Sequence, residues 1–127
     1  MNEVLVDTSV WVDHFRHPNE SLVDLLSLDV VISHPMVVTE LACGTPPAPR
    51  GRTLADITTL PQSRQASLAE VRELIEREQL FGLGCGLVDL TLLASTMLTT
   101  GARLWTLDQR LRRLAERFEV AYLPARH

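Results

Sequence analysis

Glu3-Val-Leu-Val-Asp7-Thr-Ser-Val-Trp11 carries the reading of the fold. Residues 3 to 6 form a short, partly β-branched apolar run, and Asp7-Thr8-Ser9 follows at once with side chains suited to cap a helix. The stretch therefore reads as strand, turn, helix, with an aspartate at the join. The unit recurs downstream. Val30-Val31-Ile32 ends in Ser33-His34-Pro35, and proline suits the first turn of a helix that runs to Cys43 before Gly44 stops it. Arg103-Leu-Trp-Thr106 is a third strand, followed through Asp108 by a helix to Arg117, and Val120-Ala-Tyr-Leu123 is expected to be a last strand before Pro124.

Between these units, Pro46, Pro47, Pro49, Pro61 and Gly51 mark residues 45–61 as loop, with a short helix near Leu54 to Thr58. Ser67-Leu-Ala-Glu70 has capping-box spacing, and Leu68, Val71, Leu74 and Ile75 then recur at helical period, ending near Leu80. Gly82, Gly84 and Gly86 lead into a helix over about Val88 to Thr100, closed by Gly101. No internal repeats occur. Strands alternating with helices indicate a parallel sheet covered on both faces, a three-layer α/β/α sandwich of about four to five strands.

A chain of 127 residues is long enough to bury a core as one domain, here 1–127, and 46% hydrophobic with 22% charged residues is a globular balance. The N-terminus has no secretory pattern and no apolar run approaches membrane-spanning length, so the expected location is cytoplasmic. Cys43 and Cys85 are too few for a disulfide framework and are expected to be free, buried thiols. The net charge of −4 argues against gripping nucleic acid by overall positive charge, though local patches and bound cations remain available. All 12 basic residues are arginine, which removes lysine-based covalent chemistry.

Four carboxylates converge by topology. Open α/β sheets bind ligands beyond the carboxyl ends of their strands, where Asp7 and Asp108 lie. Glu40 is three residues after Val37 and four after Met36, which predicts an inward position on its helix. Asp89 precedes Leu92, Leu93 and Thr96 at helical spacing and lies near a helix N-terminus, where the dipole favours an anion. Gathered carboxylates repel unless a cation neutralises them, and hard oxygen donors without His or Cys suit Mg²⁺ or Mn²⁺. Carboxylate-held ions of this kind commonly act on phosphodiesters. Thr8, Ser9 and Thr106 flank the strand-end aspartates as hydroxyl supports.

Each residue also has a plainer reading. Asp7, Asp89 and Asp108 are all plausible helix caps, and Glu40 a core residue paired with an arginine. Asp13, Asp24, Asp29 and Asp56 are expected to be solvated or capping. His14, His17, His34 and His127 have no metal-like spacing and read as surface or helix-end residues. Arg50, Arg52, Arg110, Arg112 and Arg113 read as RNA or partner contacts, or as a solvated face. Leu22, Val23, Leu25, Leu26 and Leu28 make an apolar early helix that is core, dimer surface or partner groove. Asp7-Thr8-Ser9 lacks the second aspartate that an aspartyl phosphatase would need.

Together, Leu5-Val-Asp7-Thr-Ser-Val-Trp11-Val, Val38-Thr-Glu40-Leu, Leu87-Val-Asp89 through Leu93-Ala-Ser95 and Leu104-Trp-Thr106-Leu-Asp108 resemble the motifs of PIN-domain proteins, and more narrowly VapC-type toxins. The resemblance covers nearly the whole chain, except for a proline-rich departure between residues 44 and 66. It implies a PIN-like fold and an endoribonuclease with an acidic Mg²⁺/Mn²⁺ site. The family's acidic positions map onto Asp7, Glu40, Asp89 and Asp108, and its hydroxyl position onto Thr106. It further implies tRNA or rRNA as substrate, a homodimer, and neutralisation in a hetero-oligomer by a VapB-type antitoxin whose arginine replaces the metal charge. The alternative is a catalytically weak PIN-like module acting through antitoxin pairing and operator co-repression.

Overall fold

The computed structural model describes residues 2–124. Its strands are β1 (Val4–Val6), β2 (Val31–Ile32) and β3 (Arg103–Trp105), and its helices are α1 (Thr8–Arg16), α2 (Glu20–Ser27), α3 (Pro35–Cys43), α4 (Arg50–Thr58), α5 (Leu68–Glu78), α6 (Leu87–Leu98) and α7 (Gln109–Arg117). The strands are parallel in the order β2-β1-β3, with Leu5 opposite both Ile32 and Leu104. The crossover out of β1 moves one way across the sheet and the crossover from β2 to β3 moves back past it. Right-handed crossovers of opposite sense cover opposite faces, which produces the layered sandwich.

Three strands form where four to five were expected. The missing positions are occupied by single bridges, Ser33 with Gln62 on one edge and Leu104 with Ala121 on the other. Val120–Leu123 is thus a bridge and not a strand. Proline explains the brevity on both edges, because Pro61 and Pro124 have no N–H to continue a ladder.

Strand residues are buried on both faces, as in parallel sheets generally: Leu5, Val6, Ile32, Leu104 and Trp105 are all at most 2% exposed. Trp105 also packs its ring 5.3 Å from that of Tyr122. α6 is the most enclosed helix, with every residue from Leu90 to Thr96 buried. In α2 only Leu22 and Leu25 are buried, whereas Val23 and Leu28 face outward.

Several boundaries differ from expectation. α4 begins at Arg50, directly after Pro49, and so is longer than Leu54 to Thr58. α5 stops at Glu78 because Gln79 takes a left-handed conformation (φ 56°), which lets the Leu80 amide reach the Ile75 carbonyl at 3.0 Å and buries Leu80. The Ser67–Glu70 capping box forms as predicted. α6 runs from Leu87 to Leu98 and is closed by Thr99. The cysteines are free, but Cys43 is exposed and Cys85 half-buried, because both stand at helix or loop margins.

His34 caps α3 and is buried, at 3% exposed, so it is a helix-end residue but not a surface one. His127 lies outside the described residues. The His34 Nδ1 accepts the Met36 amide at 3.0 Å, and Nε2 lies 3.2 Å from the Ser95 hydroxyl, which also receives the Ala66 amide. A second proton would have to displace the cap at Nδ1, and burial already lowers the pKa below its ordinary 6.5. The folded state therefore resists protonation more than the unfolded chain does. Stability is full above the unfolded pKa and is lost as pH falls below it towards the lowered folded value. Between about pH 7.5 and about pH 5.5 the wild-type thermal midpoint is expected to fall more than that of His34→Asn, which keeps a capping oxygen but does not titrate. Equal losses in the two proteins would contradict this.

Candidate functional site

β1 and β3 end side by side, the Asp7 amide donating to the Trp105 carbonyl at 2.9 Å, and the crevice beyond them is where the chain changes direction across the sheet. Asp7 occupies the N-cap position of α1, yet its side chain makes no capping bond. Instead Oδ2 accepts two hydroxyls, Ser9 Oγ and Thr106 Oγ1, each at 2.7 Å. Asp7 is only 5% exposed, so this charge is held in place by neutral donors. The Thr106 oxygen also accepts the Asp108 amide at 3.1 Å, and Ser9 Oγ accepts the Leu107 amide at 3.0 Å. Two hydroxyls thereby lock the ends of two strands together and leave Oδ1 of Asp7 outside the network.

Asp108 is exposed and does cap a helix: Oδ1 accepts the amides of Arg110 and Leu111 at 2.9 and 3.0 Å. The capping reading and the site reading are compatible, since Oδ2 takes no part in the cap. Asp89 sits in the first turn of α6, half-buried, with a long 3.4 Å contact from the Gly86 amide to Oδ2. Its pKa is raised above the ordinary carboxylate value, first by burial and then by the charges of Asp7, Asp108 and Glu40, against the lowering effect of the Gly86 amide. A raised folded pKa means that stability present at low pH is lost as Asp89 ionises. At neutral pH its charge is one that the fold tolerates.

Glu40 is exposed, which corrects its predicted inward position. The buried stripe of α3 is Val37 and Leu41, while Met36 is only half-buried, so Glu40 stands beside the stripe at the rim. Its Oε1 accepts the Thr8 hydroxyl at 2.6 Å. Thr8 thus supports Glu40, and Thr106 supports Asp7 and Asp108. Ser9, grouped with these two from sequence, has as many contacts as Thr106. Its signal was the i, i+2 spacing from Asp7.

The four carboxylates make no ion pair among the described residues; the arginine pairs are with Glu73, Glu78 and Glu116. Arg110, one of five arginines read from sequence as RNA or partner contacts or a solvated face, lies along the loop before α6. Its Nη1 is 3.5 Å from the Gly84 carbonyl, and a Cβ on Gly84 would meet its Cδ at 2.7 Å. Gly84, at φ +88°, is favoured by its backbone conformation, and a Cβ there would also make the flexible Arg110 side chain shift. Cys85 lies beside this loop, and its thiol pKa is raised, mainly by burial, then by Asp89 and Asp108, with Arg110 opposing.

The donor chemistry fits a hard divalent cation, being oxygen throughout, mutually repelling and free of a competing arginine. Among the described residues no three such side chains are drawn closely enough to enclose an ion directly. Mg²⁺ sites commonly use one or two direct carboxylates and otherwise retain water.

Residues 4–117 match the family model of the PIN domain. The chain belongs to the PIN-domain family. It is 44% identical over 109 residues to Ribonuclease VapC32 of Mycobacterium tuberculosis, in both the CDC 1551 and the H37Rv strains, and the match spans 86% of this chain and 87% of the relative. Within the family it is of the VapC type. No described helix is long and apolar enough to cross a membrane.

Proposed function

We propose that this chain is the toxin of a toxin–antitoxin pair and acts as a metal-dependent endoribonuclease through Asp7, Glu40, Asp89 and Asp108. The observation that carries the reading is electrostatic: burial and three other carboxylates raise the pKa of Asp89, and among the described residues none of the four is paired with an arginine. The match to Ribonuclease VapC32 supports the same activity and disfavours a catalytically weak pairing module.

Mg²⁺ or Mn²⁺ held there supplies charge neutralisation at the scissile phosphate and acidifies an attacking water. Asp7, Asp89, Asp108 and Glu40 are the residues that would hold it. The chain's own contribution is preorganisation. Ser9 and Thr106 fix one oxygen of Asp7 and aim the other outward, the amides of Arg110 and Leu111 do the same for Asp108, and Thr8 steadies Glu40 at the exposed rim where substrate and water enter. Arg110, outside any ion pair among the described residues, would meet a substrate phosphate in this reading.

RNA, with tRNA or rRNA as the source, is the substrate in this reading. The chain works as a single PIN-like domain, 1–127, in a cytoplasmic homodimer. A VapB-type antitoxin silences it by supplying the missing arginine to the carboxylates.

Purified protein incubated with total cellular RNA and Mg²⁺ or Mn²⁺ is expected to yield discrete fragments, and EDTA is expected to abolish them. Intact RNA with both metals and folded protein, or cleavage indifferent to EDTA, would refute the proposal.

A further inference from the structure

The proline-rich segment that follows no family motif forms one wall of a groove beside the carboxylates. The groove encloses about 550 Å³ and runs from Thr8 and Glu40 past Phe15 and Arg16 to Pro46 and Pro47. That volume falls within the roughly 300–1,000 Å³ of small-molecule sites. The wall is fixed in place. The Arg50 guanidinium donates to the carbonyls of Gly44 at 3.0 Å and Ala42 at 2.7 Å, and the Thr53 hydroxyl donates to the Pro47 carbonyl at 2.8 Å. A second hollow of about 340 Å³ shares Phe15 and Pro47 and is lined also by Trp11. The Trp11 indole N–H is buried without an acceptor among the described residues. Arg16 is exposed and makes no ion pair among them.

We infer that this groove is a nucleobase subsite. An unpaired base of single-stranded RNA, adjacent to the phosphate at the carboxylates, stacks on Phe15 against the rigid wall of Pro46 and Pro47, while Arg16 meets the neighbouring phosphate. The inference rests on the ribonuclease reading and deepens it. An aromatic face beside a free guanidinium is the pairing that captures single-stranded bases with their backbone. Thr8 and Glu40 form the mouth of the groove and the rim of the carboxylate site at once, so a base bound in the groove is continuous with a phosphate at the carboxylates. Exposed large apolar side chains lie on other segments, among them Phe81 and Leu83 in the loop into α6, Leu87 at its start, Leu107 before α7, and Val23 and Leu28 on and just after α2. The proline-rich segment thus contributes to the choice of cleavage site.

The test uses short labelled homo-oligoribonucleotides of A, C, G and U, with binding followed by fluorescence anisotropy in an Asp7→Asn background and cleavage sites mapped with otherwise wild-type protein. Phe15→Leu keeps apolar volume against Trp11 but removes the aromatic face. It is expected to weaken binding of the preferred base by about 5- to 100-fold and to flatten the preference among bases. Arg16→Ala is expected to weaken all four alike and to reduce the salt dependence by about one phosphate contact. A Phe15→Leu protein with an unchanged thermal midpoint, unchanged binding and the same cleavage sites overturns the subsite and assigns the groove to a protein partner, while the ribonuclease reading stands. Binding that depends on Phe15, in a protein that cleaves no RNA, has the opposite meaning: the groove stands and the ribonuclease reading falls.

Discussion

Replacing Asp7 by asparagine is expected to slow RNA cleavage by about two to three orders of magnitude, on the scale of losing one preorganised group at a reacting phosphate. The fold should survive, because the substitution is isosteric and removes a buried charge whose side-chain partners among the described residues are the hydroxyls of Ser9 and Thr106. Thr106→Val tests how that charge is aimed. It removes the 2.7 Å donor to Asp7 and the acceptor for the Asp108 amide together, and the expected loss is about 10- to 100-fold. The two changes share one network, so their effects should not add. A double variant no slower than Asp7→Asn alone would show that Thr106 acts through Asp7, whereas full additivity would assign Thr106 a separate role.

The largest stability effect is expected at Trp105. Its side chain is 2% exposed, it pairs with Tyr122, and its carbonyl receives the Asp7 amide. Trp105→Ala opens a cavity at the end of β3 and should cost about 3–5 kcal/mol, against a total of about 5–15 kcal/mol for a domain of this size. The thermal midpoint should fall by about 10 °C or more. Trp105→Phe, which keeps an aromatic ring, should fall much less. A drop of only a few degrees for Trp105→Ala would mean that Tyr122 and the α7 side chains collapse into the space.

The placement of the candidate carboxylates was easier to read from sequence than the sheet. Asp7 and Asp108 follow apolar runs, and a parallel sheet brings its strand ends together, so their convergence was legible without side-chain detail. Asp89 was legible from helical spacing to Leu92, Leu93 and Thr96. Glu40 was expected on the correct helix but the wrong face. The difference depends on whether Met36 or Leu41 marks the buried stripe, and both are apolar. The sheet edges were overread for a similar reason: Val120-Ala-Tyr-Leu has strand composition, but Pro124 stops the ladder after one bridge. Ser9 is two residues from Asp7, a local signal, but its contact with Thr106 across 97 residues, and that of Arg110 with Gly84 across 26, are encoded by no local pattern. The wall built by residues 44–47 was equally hidden, because its order comes from Arg50 and Thr53 side chains reaching back to carbonyls.

The central claim is that Asp7, Glu40, Asp89 and Asp108 act as one cation site. It is tested most directly by calorimetric titration of Mn²⁺ into the wild-type protein and into Asp7→Asn, Glu40→Gln, Asp89→Asn and Asp108→Asn. The account predicts saturable binding in the wild type that every one of the four substitutions weakens. Binding that is absent from the wild type, or indifferent to these four residues, would contradict it.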